Sequence, residues 1–279
     1  MVIIFTRGAA HLCSLLCVLA VVTTAAAQDT SKPFEPVVGQ AGKDVVWVPT
    51  PEDVVEKMLD VAKITAQDYV IDLGSGDGRN VISAAKRGAR ALGVEFNENM
   101  VELSRRRAKE AGVADRASFV QGDMYEADIS KASVMALFLL PDNMNRLLPK
   151  FLALKPGSRI VSNTFSPEGW EADYMETVPD CSAWCTVLLW IVPADVAGTW
   201  QLPQGTLTLD QSFQNVTGTV GSTPISEGKL RGDEITFLAG NARYTGRING
   251  NTITGSIADN GKSTEWRATR TGSRASTRP

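Results

Sequence analysis

The residues of this sequence best suited to hold a charged ligand are three carboxylates and a run of glycines. The run DLGSGDG (72–78) stands between an apolar, strand-like stretch and a helix-like stretch. Asp72 ends the first predicted strand, Glu95 the second and Asp123 the third. Because ligands bind at the carboxyl ends of strands in a parallel sheet, we expect these side chains to meet beside the glycine loop.

The order of residues in this loop distinguishes between two kinds of cofactor. A nicotinamide cofactor favours G-x-G-x-x-G, whose last glycine would fall at position 79, where the chain has Arg79. A leading aspartate such as Asp72 is also a poor neighbour for a pyrophosphate. S-adenosylmethionine carries a sulfonium and an ammonium cation and no phosphate, and carboxylates attract such cations and accept hydrogen bonds from sugar hydroxyls.

With these motifs the stretch 46–193 resembles the class I S-adenosylmethionine-dependent methyltransferases. The resemblance implies that Asp72, Gly74 and Gly76 surround the methionine end of S-adenosyl-L-methionine, and that Glu95 takes the ribose hydroxyls. Asp123 and the Met124 backbone would read the adenine. The remaining residues predicted to bind the cofactor are Ser75, Asp77, Gly78 and Phe96.

A narrower resemblance concerns the methyl acceptor. The segments VVWVPTPEDVVEKML and LKPGSRIVSNTFSPEGW are similar to those of exported bacterial methyltransferase-domain proteins, a group akin to small lysine methyltransferases of mitochondrial membrane proteins. This resemblance implies a protein lysine as substrate. Many amide-nitrogen methyltransferases carry Asn/Asp-Pro-Pro-aromatic where this chain has LLPD (139–142), which argues against amide chemistry. Candidate walls of the acceptor pocket, each equally compatible with ordinary packing, are Leu140, Pro141, Asn163, Phe165 and Trp170.

The first 27 residues have the pattern of a secretory signal peptide. Arg7 precedes an apolar stretch that ends in Ala25-Ala26-Ala27, which predicts cleavage before Gln28 and a periplasmic or secreted protein. The alternative, a membrane anchor, is disfavoured because the stretch is shorter than the roughly 20 residues that a spanning helix needs. We therefore expect no integral span in the mature chain.

Cleavage changes the chemistry that is open to the chain. His11, the only histidine, leaves with the signal, which excludes Ser-His and Cys-His nucleophiles and a histidine-ligated metal. The mature chain has 27 basic and 31 acidic side chains, a net charge of −4, and no basic cluster that favours nucleic acid. Cys181 and Cys185 remain and are expected to form a disulfide, with two free thiols as the alternative; no metal site is predicted.

The chain is predicted to contain two folded domains. Strand and helix alternate over 46–193, which favours a doubly wound Rossmann-like sheet of the α/β class. Residues 194–270 read as a small antiparallel β domain, a meander closing into a barrel or sandwich, with Trp200, Phe213, Phe237, Tyr244 and Trp266 as its core. A flexible leader (28–45) and a disordered tail (271–279) flank them.

Two classes of function therefore remain open. One is an exported methyltransferase acting on a protein lysine or on a small molecule. The other is an exported, non-catalytic protein that binds S-adenosylmethionine or acts as a scaffold. This alternative arises because S-adenosylmethionine is made in the cytosol, so an exported enzyme would need it supplied. Neither the acceptor nor the oligomeric state follows from the sequence.

Overall fold

A computed structural model describes residues 33–273. The predicted signal peptide (1–27), the start of the leader and most of the predicted tail lie outside this range. Within residues 33–273, no helix combines the length and the apolar character that crossing a membrane requires.

The first domain has the alternating order of elements that the sequence predicts. Its helices are α1 (Glu52–Val61), α2 (Arg79–Lys86), α3 (Glu98–Glu110) and α4 (Pro141–Leu152). Its strands are β1 (Tyr69–Leu73), β2 (Arg90–Glu95), β3 (Ala117–Gln121), β4 (Val134–Leu137), β5 (Arg159–Asn163), β6 (Tyr174–Thr177) and β7 (Thr186–Ile191).

These strands form one mixed sheet in the order β3-β2-β1-β4-β5-β7-β6. The first five strands are parallel, and β7 runs antiparallel to both β5 and β6. The chain order reverses beside β1, so the loops that follow β1 and β4 flank a switch point, where open α/β sheets bind ligands. The predicted Rossmann-like sheet is confirmed.

The two faces of this sheet are covered differently. Apolar residues of α1, α2 and α3, such as Met58, Val81 and Val101, pack in one core. On the other face, α4 contributes Met144 and Phe151 to a second core.

The second domain is a closed barrel of eight antiparallel strands. They are β8 (Gly198–Leu202), β9 (Gly205–Ser212), β10 (Asn215–Val220), β11 (Thr223–Arg231), β12 (Glu234–Ala239), β13 (Ala242–Asn249), β14 (Thr252–Asp259) and β15 (Lys262–Ser273). Each strand pairs with the next, and β15 pairs with β8 to close the ring. Of the two predicted forms, barrel and sandwich, the barrel is the one observed.

The barrel core contains four of the five aromatic residues predicted for it: Trp200, Phe237, Tyr244 and Trp266. Phe213 differs, because it occupies a turn between β9 and β10 and packs in the second core of the sheet domain. Its ring stacks on that of Trp170, with centroids 5.5 Å apart, and the Gln214 side-chain amide donates to the Glu171 carbonyl at 2.8 Å. Phe213 therefore joins the two domains.

The last strand also extends beyond the predicted start of the tail. Strand β15 continues to Ser273, where Gly272 and Ser273 pair with Thr199 and Gly198 of β8. Residues 271–273 thus belong to the barrel, because β8 offers them a strand to pair with.

Candidate cofactor site and acceptor site

The glycine loop follows β1 and leads directly into α2. Gly74 and Gly76 have φ angles of +70° and +53°, a left-handed conformation that residues with a side chain rarely adopt. A Cβ atom on Gly76 would lie 2.7 Å from Nε1 of Trp47. Glycine is thus required here both by the backbone conformation and by the close approach of Trp47.

Glu95 ends β2 beside this loop. Its Oε2 accepts a hydrogen bond from the Gly76 backbone N–H at 3.0 Å, and its Oε1 accepts one from the Asn97 N–H at 2.8 Å. An ionised carboxylate has about four acceptor positions, so two remain for further donors. The backbone therefore orients Glu95 while leaving it the capacity to accept from two hydroxyls.

Asp72 lies below the loop and is almost completely buried. Burial raises the pKa of Asp72 well above its ordinary value, the Asn80 side-chain amide opposes this rise by donating to Oδ2 at 3.1 Å, and the negative charges of Glu95 and Asp77 add to it. A carboxyl group in this state gains most from an arriving cation, because the cation favours its ionised form.

Asp123 follows β3 and already has a cationic partner. Its Oδ2 accepts from Nζ of Lys43 at 2.5 Å, and its Oδ1 accepts from the Tyr125 N–H at 2.8 Å. The hydrogen bond from Lys43 holds the pKa of Asp123 below its ordinary value. Lys43 also lies over the Phe96 ring, with Nζ 5.1 Å from the centroid.

Lys43 belongs to a segment, Phe34 to Val48, that we call the strap. Its start is tied to α3, since Arg106 donates to the Phe34 carbonyl and to the Glu35 carboxylate. A turn between Gln40 and Trp47 is closed by paired backbone hydrogen bonds. The sequence predicted a flexible leader over 28–45 and did not predict that part of it packs on the domain. The contacts with α3 and Asp123 hold this segment in place.

The strap, the glycine loop and the ends of β2, β3 and β4 enclose two adjoining cavities. The larger has a volume of about 90 Å³, and its walls include Glu95, Phe96, Asp123 and Met124. The smaller has a volume of about 40 Å³ and lies beside Asp72 and Gly76. Both are lined by Gly74 and Phe138.

Three predicted cofactor residues have other contacts in the structure. The Ser75 side chain packs against Gly93 of β2. A Cβ atom on Gly93 would lie only 2.5 Å from the Ser75 Oγ. The Asp77 carboxylate is buried between Arg79 and Arg107; burial alone would raise its pKa, but the two guanidinium groups outweigh burial and lower it. Gly78 allows close packing against Phe119 and Ser104. Ser75 and Asp77 also line the smaller cavity, whereas Gly78 lines neither cavity.

The predicted acceptor-pocket residues are separated by the fold. Leu140 and Pro141 begin α4 and line neither cavity. Trp170 is buried against Trp190 and Phe213, so it is a packing residue. Asn163 is fully buried at the end of β5, where its Oδ1 accepts from the Thr164 hydroxyl.

Phe165 alone of these five lies in an open aromatic cluster. Its ring stacks on Phe138 at 5.9 Å and lies 5.3 Å from the ring of Trp184. Sequence reasoning missed Phe138 and Trp184. Their only signals were the position of Phe138 directly after β4 and of Trp184 between Cys181 and Cys185, which are joined by a disulfide.

The site has a donor set suited to S-adenosylmethionine. Carboxylates at the ends of three neighbouring strands lie around a glycine loop that lacks the G-x-G-x-x-G pattern, and two adjoining cavities lie along this edge of the sheet. Across the described residues 33–273, no cluster of potential metal ligands occurs. A doubly wound sheet with carboxylates at the ends of three neighbouring strands is typical of proteins that bind a nucleoside cofactor with a positive charge.

Comparison with known proteins identifies the family. Residues 72–174 match the model of the ANTKMT methyltransferase domain. A protein-lysine N-methyltransferase of Saccharolobus islandicus is 42% identical over 151 residues, which cover 53% of this chain and 94% of that protein. A structure described as an RNA methyltransferase of Salinibacter ruber, in complex with S-adenosyl-L-homocysteine, is 44% identical, with a TM-score of 0.50 over 53% of this chain and 96% of that one.

The chain belongs to the class I S-adenosylmethionine-dependent methyltransferases, and S-adenosylmethionine is its cofactor. A further relative, the mouse adenine nucleotide translocase lysine N-methyltransferase, is 35% identical over 104 residues. That match covers 37% of this chain and 45% of the mouse protein, so the chain spans about half the length of this mammalian relative. None of these matches covers more than about half of the chain.

Proposed function

We propose that this enzyme methylates the side-chain amine of a protein lysine. The observation that carries the proposal is the similarity to the Saccharolobus lysine methyltransferase over almost that protein's entire length. The aromatic cluster beside the cofactor cavities supports it, because aromatic rings pack against the methylenes of a lysine side chain and attract its ammonium group. The net charge of −4 predicted for the mature chain favours a basic protein segment over a nucleic acid.

Within this proposal the cofactor-binding roles are distributed along the edge of the sheet. Glu95 would accept from the two ribose hydroxyls, Asp123 would turn from Lys43 to the adenine, and Asp72 would balance the positive charge of the methionine end. The cofactor, when bound, supplies a methyl group on a sulfonium that leaves as a neutral thioether.

The acceptor must present a neutral amine, whose lone pair forms the new nitrogen–carbon bond as the carbon–sulfur bond breaks. Burial of the lysine end in an apolar site favours loss of its proton before transfer. Alignment of reacting groups can supply about 7–11 kcal/mol, so this chemistry does not require a histidine base. The chain's contribution is to position the amine and to exclude water.

A second candidate acceptor is RNA, because the Salinibacter structure is described as an RNA methyltransferase. The acidic balance of the chain speaks against it, since RNA binding depends on clustered Lys and Arg. A small-molecule acceptor is the third possibility, because this fold serves many substrates.

We also propose that the protein is exported. The pattern of residues 1–27 supports this proposal, and so does the Cys181–Cys185 disulfide, since disulfides persist in oxidising compartments. Detection of a chain that starts at Gln28 in the periplasmic or secreted fraction is the expected result. Full-length protein confined to the cytosol would contradict it.

The acceptor is tested with purified protein, cofactor labelled in its methyl group, and envelope extract from the source cells separated into protein, RNA and low-mass fractions. We expect label in the protein fraction, recovered as methyl-lysine after acid hydrolysis, and less label with Glu95→Ala at a cofactor concentration below saturation. Label that is sensitive to ribonuclease, or found only at low mass, would replace the lysine proposal with one of the two alternatives.

A further inference from the structure

An open aromatic cluster lies at the same edge of the sheet as the cofactor cavities. Phe138 follows β4, Phe165 follows β5, and Trp184 precedes β7, so three different loops contribute one ring each. The ring centroids lie 5.3 to 6.1 Å apart. Phe138 and Phe165 are half-buried, while 43% of Trp184 is exposed. The cluster is therefore accessible from solvent.

The same cluster is continuous with the cofactor site. Phe138 lines both cavities, alongside Gly74, while its ring stacks on Phe165. Phe138 therefore borders both the aromatic cluster and the cofactor cavities.

The loops around the cluster are held in place. The Thr164 N–H donates to the Thr186 carbonyl, and the Phe165 N–H donates to the Asn163 carbonyl, which fixes the turn after β5 against the start of β7. The Val178 N–H donates to the Cys185 carbonyl and closes the loop that carries Trp184.

Trp184 itself has an unusual backbone conformation. Its φ angle is +59°, in the left-handed region that bulky residues seldom adopt. Such a conformation costs energy and persists only where its surroundings enforce it. The disulfide between Cys181 and Cys185 encloses Trp184 in a loop of five residues and supplies that constraint.

Aromatic rings attract alkylammonium groups through their negatively polarised faces, and indole does so most strongly. The rings also pack against methylene groups. A lysine side chain combines both chemistries, and each methyl group added to its nitrogen increases its apolar surface while the charge remains.

We propose that Phe138, Phe165 and Trp184 form the acceptor site, where their rings first receive the ammonium end of a substrate lysine and then hold its methylenes, once the nitrogen has lost its proton to solvent and faces the cofactor. The Cys181–Cys185 disulfide positions Trp184 in this site. The inference rests on the proposed lysine methyltransferase function and names the surface that recognises the lysine. It makes the acceptor site, unlike the cofactor site, dependent on a covalent cross-link.

The test uses the enzyme saturated with S-adenosylhomocysteine and two small probes, followed by ligand-observed NMR. One probe is the amide of Nα-acetyl-trimethyl-lysine, and the other is its neutral isostere with carbon in place of the side-chain nitrogen. We expect the cationic probe to bind more tightly. Trp184→Ala should weaken it about fivefold, the upper scale of a cation–π contact at an exposed site, and Trp184→Phe should restore part of the loss.

The matched control is Met175→Ala, which truncates a 68% exposed apolar side chain on neighbouring β6 and should leave binding of the probe unchanged. The double variant Cys181→Ser, Cys185→Ser should weaken the cationic probe about threefold or more, while its affinity for S-adenosylhomocysteine stays at the wild-type level. Thermal melting of every variant shows that it is folded.

Equal affinity for the two probes, or unchanged affinity in both Trp184→Ala and Phe165→Ala, would overturn the acceptor-site inference. Wild-type affinity in the double cysteine variant would overturn the role of the disulfide. The lysine proposal is judged separately by methyl-lysine in the labelled protein fraction, so methyl-lysine without any effect of the cluster variants would refute this inference alone.

Discussion

The sheet domain and the barrel connect their strands in opposite ways. In the barrel, which lies wholly within the described residues, each of the seven connections between consecutive strands is two residues long, and five contain glycine. The sheet domain has longer connections at its functional edge, such as 164–173 and 178–185. Two-residue turns only connect adjacent strands, whereas long loops can place side chains in a binding site.

One turn of the barrel, between β9 and β10, does more than connect two strands. The β9–β10 turn has Phe213 and Gln214 where other turns have small or polar residues, and this turn contacts Trp170 and Glu171 of the sheet domain. A side chain that departs from ordinary turn chemistry thus marks the joint between the domains. The comparison predicts that substitutions at loops of the sheet edge alter binding, while substitutions at barrel turns alter only stability.

The largest effect is expected at the joint itself. Trp170 is 2% exposed between Trp190 and Phe213, so Trp170→Ala should lower the free energy of unfolding by about 3–5 kcal/mol. Chemical denaturation measures this loss. The exposed Trp184→Ala is the matched control and should cost less than about 1 kcal/mol. Similar losses in both variants would show that the joint contributes no special stability.

Glu95→Ala should weaken binding of S-adenosylhomocysteine by about 1.5–3 kcal/mol, because hydrogen bonds to a charged group are lost. Isothermal titration calorimetry measures the change. Glu265→Ala on the barrel surface removes the same group from an exposed position and should leave the affinity as in wild type. An unchanged affinity in Glu95→Ala would remove this residue from the ribose site.

Asp72→Asn should separate cofactor binding from stability. The variant should bind S-adenosylmethionine about tenfold more weakly, near the lower limit for charged hydrogen bonds. Because burial raises the pKa of Asp72 in the folded protein, the folded form loses stability as pH rises above about 4, where the unfolded chain ionises first.

Without ligand, Asp72→Asn should therefore be more stable than wild type at neutral pH, and this advantage should shrink as pH falls toward about 4. Denaturation curves at several pH values provide the measurement. A variant that is less stable than wild type at neutral pH would contradict the assigned cost of the buried carboxyl.

The smallest effect is expected at a barrel turn. Gly250 has a φ angle of +57°, and no atom lies within 4 Å of the position of a Cβ. Gly250→Ala should cost about 1 kcal/mol through its left-handed backbone alone. Binding of S-adenosylhomocysteine should match wild type, and any loss of affinity would show that barrel turns do influence the site.

Features encoded locally could be predicted from the sequence. Glycines between a strand and a helix, an acid at each strand end, and short alternating runs all depend on neighbours within a few residues. They therefore predicted the sheet, the cofactor cavities beside Gly74 and Glu95, and the β domain. The lysine-methyltransferase resemblance likewise depended on contiguous segments.

Features that depend on distant partners could not be predicted. Nothing near Asp77 in sequence indicates that Arg107 neutralises it, and nothing near Trp170 indicates that Phe213 covers it. Lys43 and Asp123 are eighty positions apart. The aromatic cluster requires three loops to meet, and only the strand order places them together.

The closure of the barrel by β8 and β15 has a consequence for biogenesis. The first barrel strand finds one of its two partners only when β15 is available, so the ring cannot close while the ribosome or a translocation pore still holds that strand. Until then β8 and β14 each present an unpaired edge, the kind of surface that leads to association between chains. The sheet domain is synthesised first, but its second core is complete only after Phe213 of the β9–β10 turn has packed on Trp170.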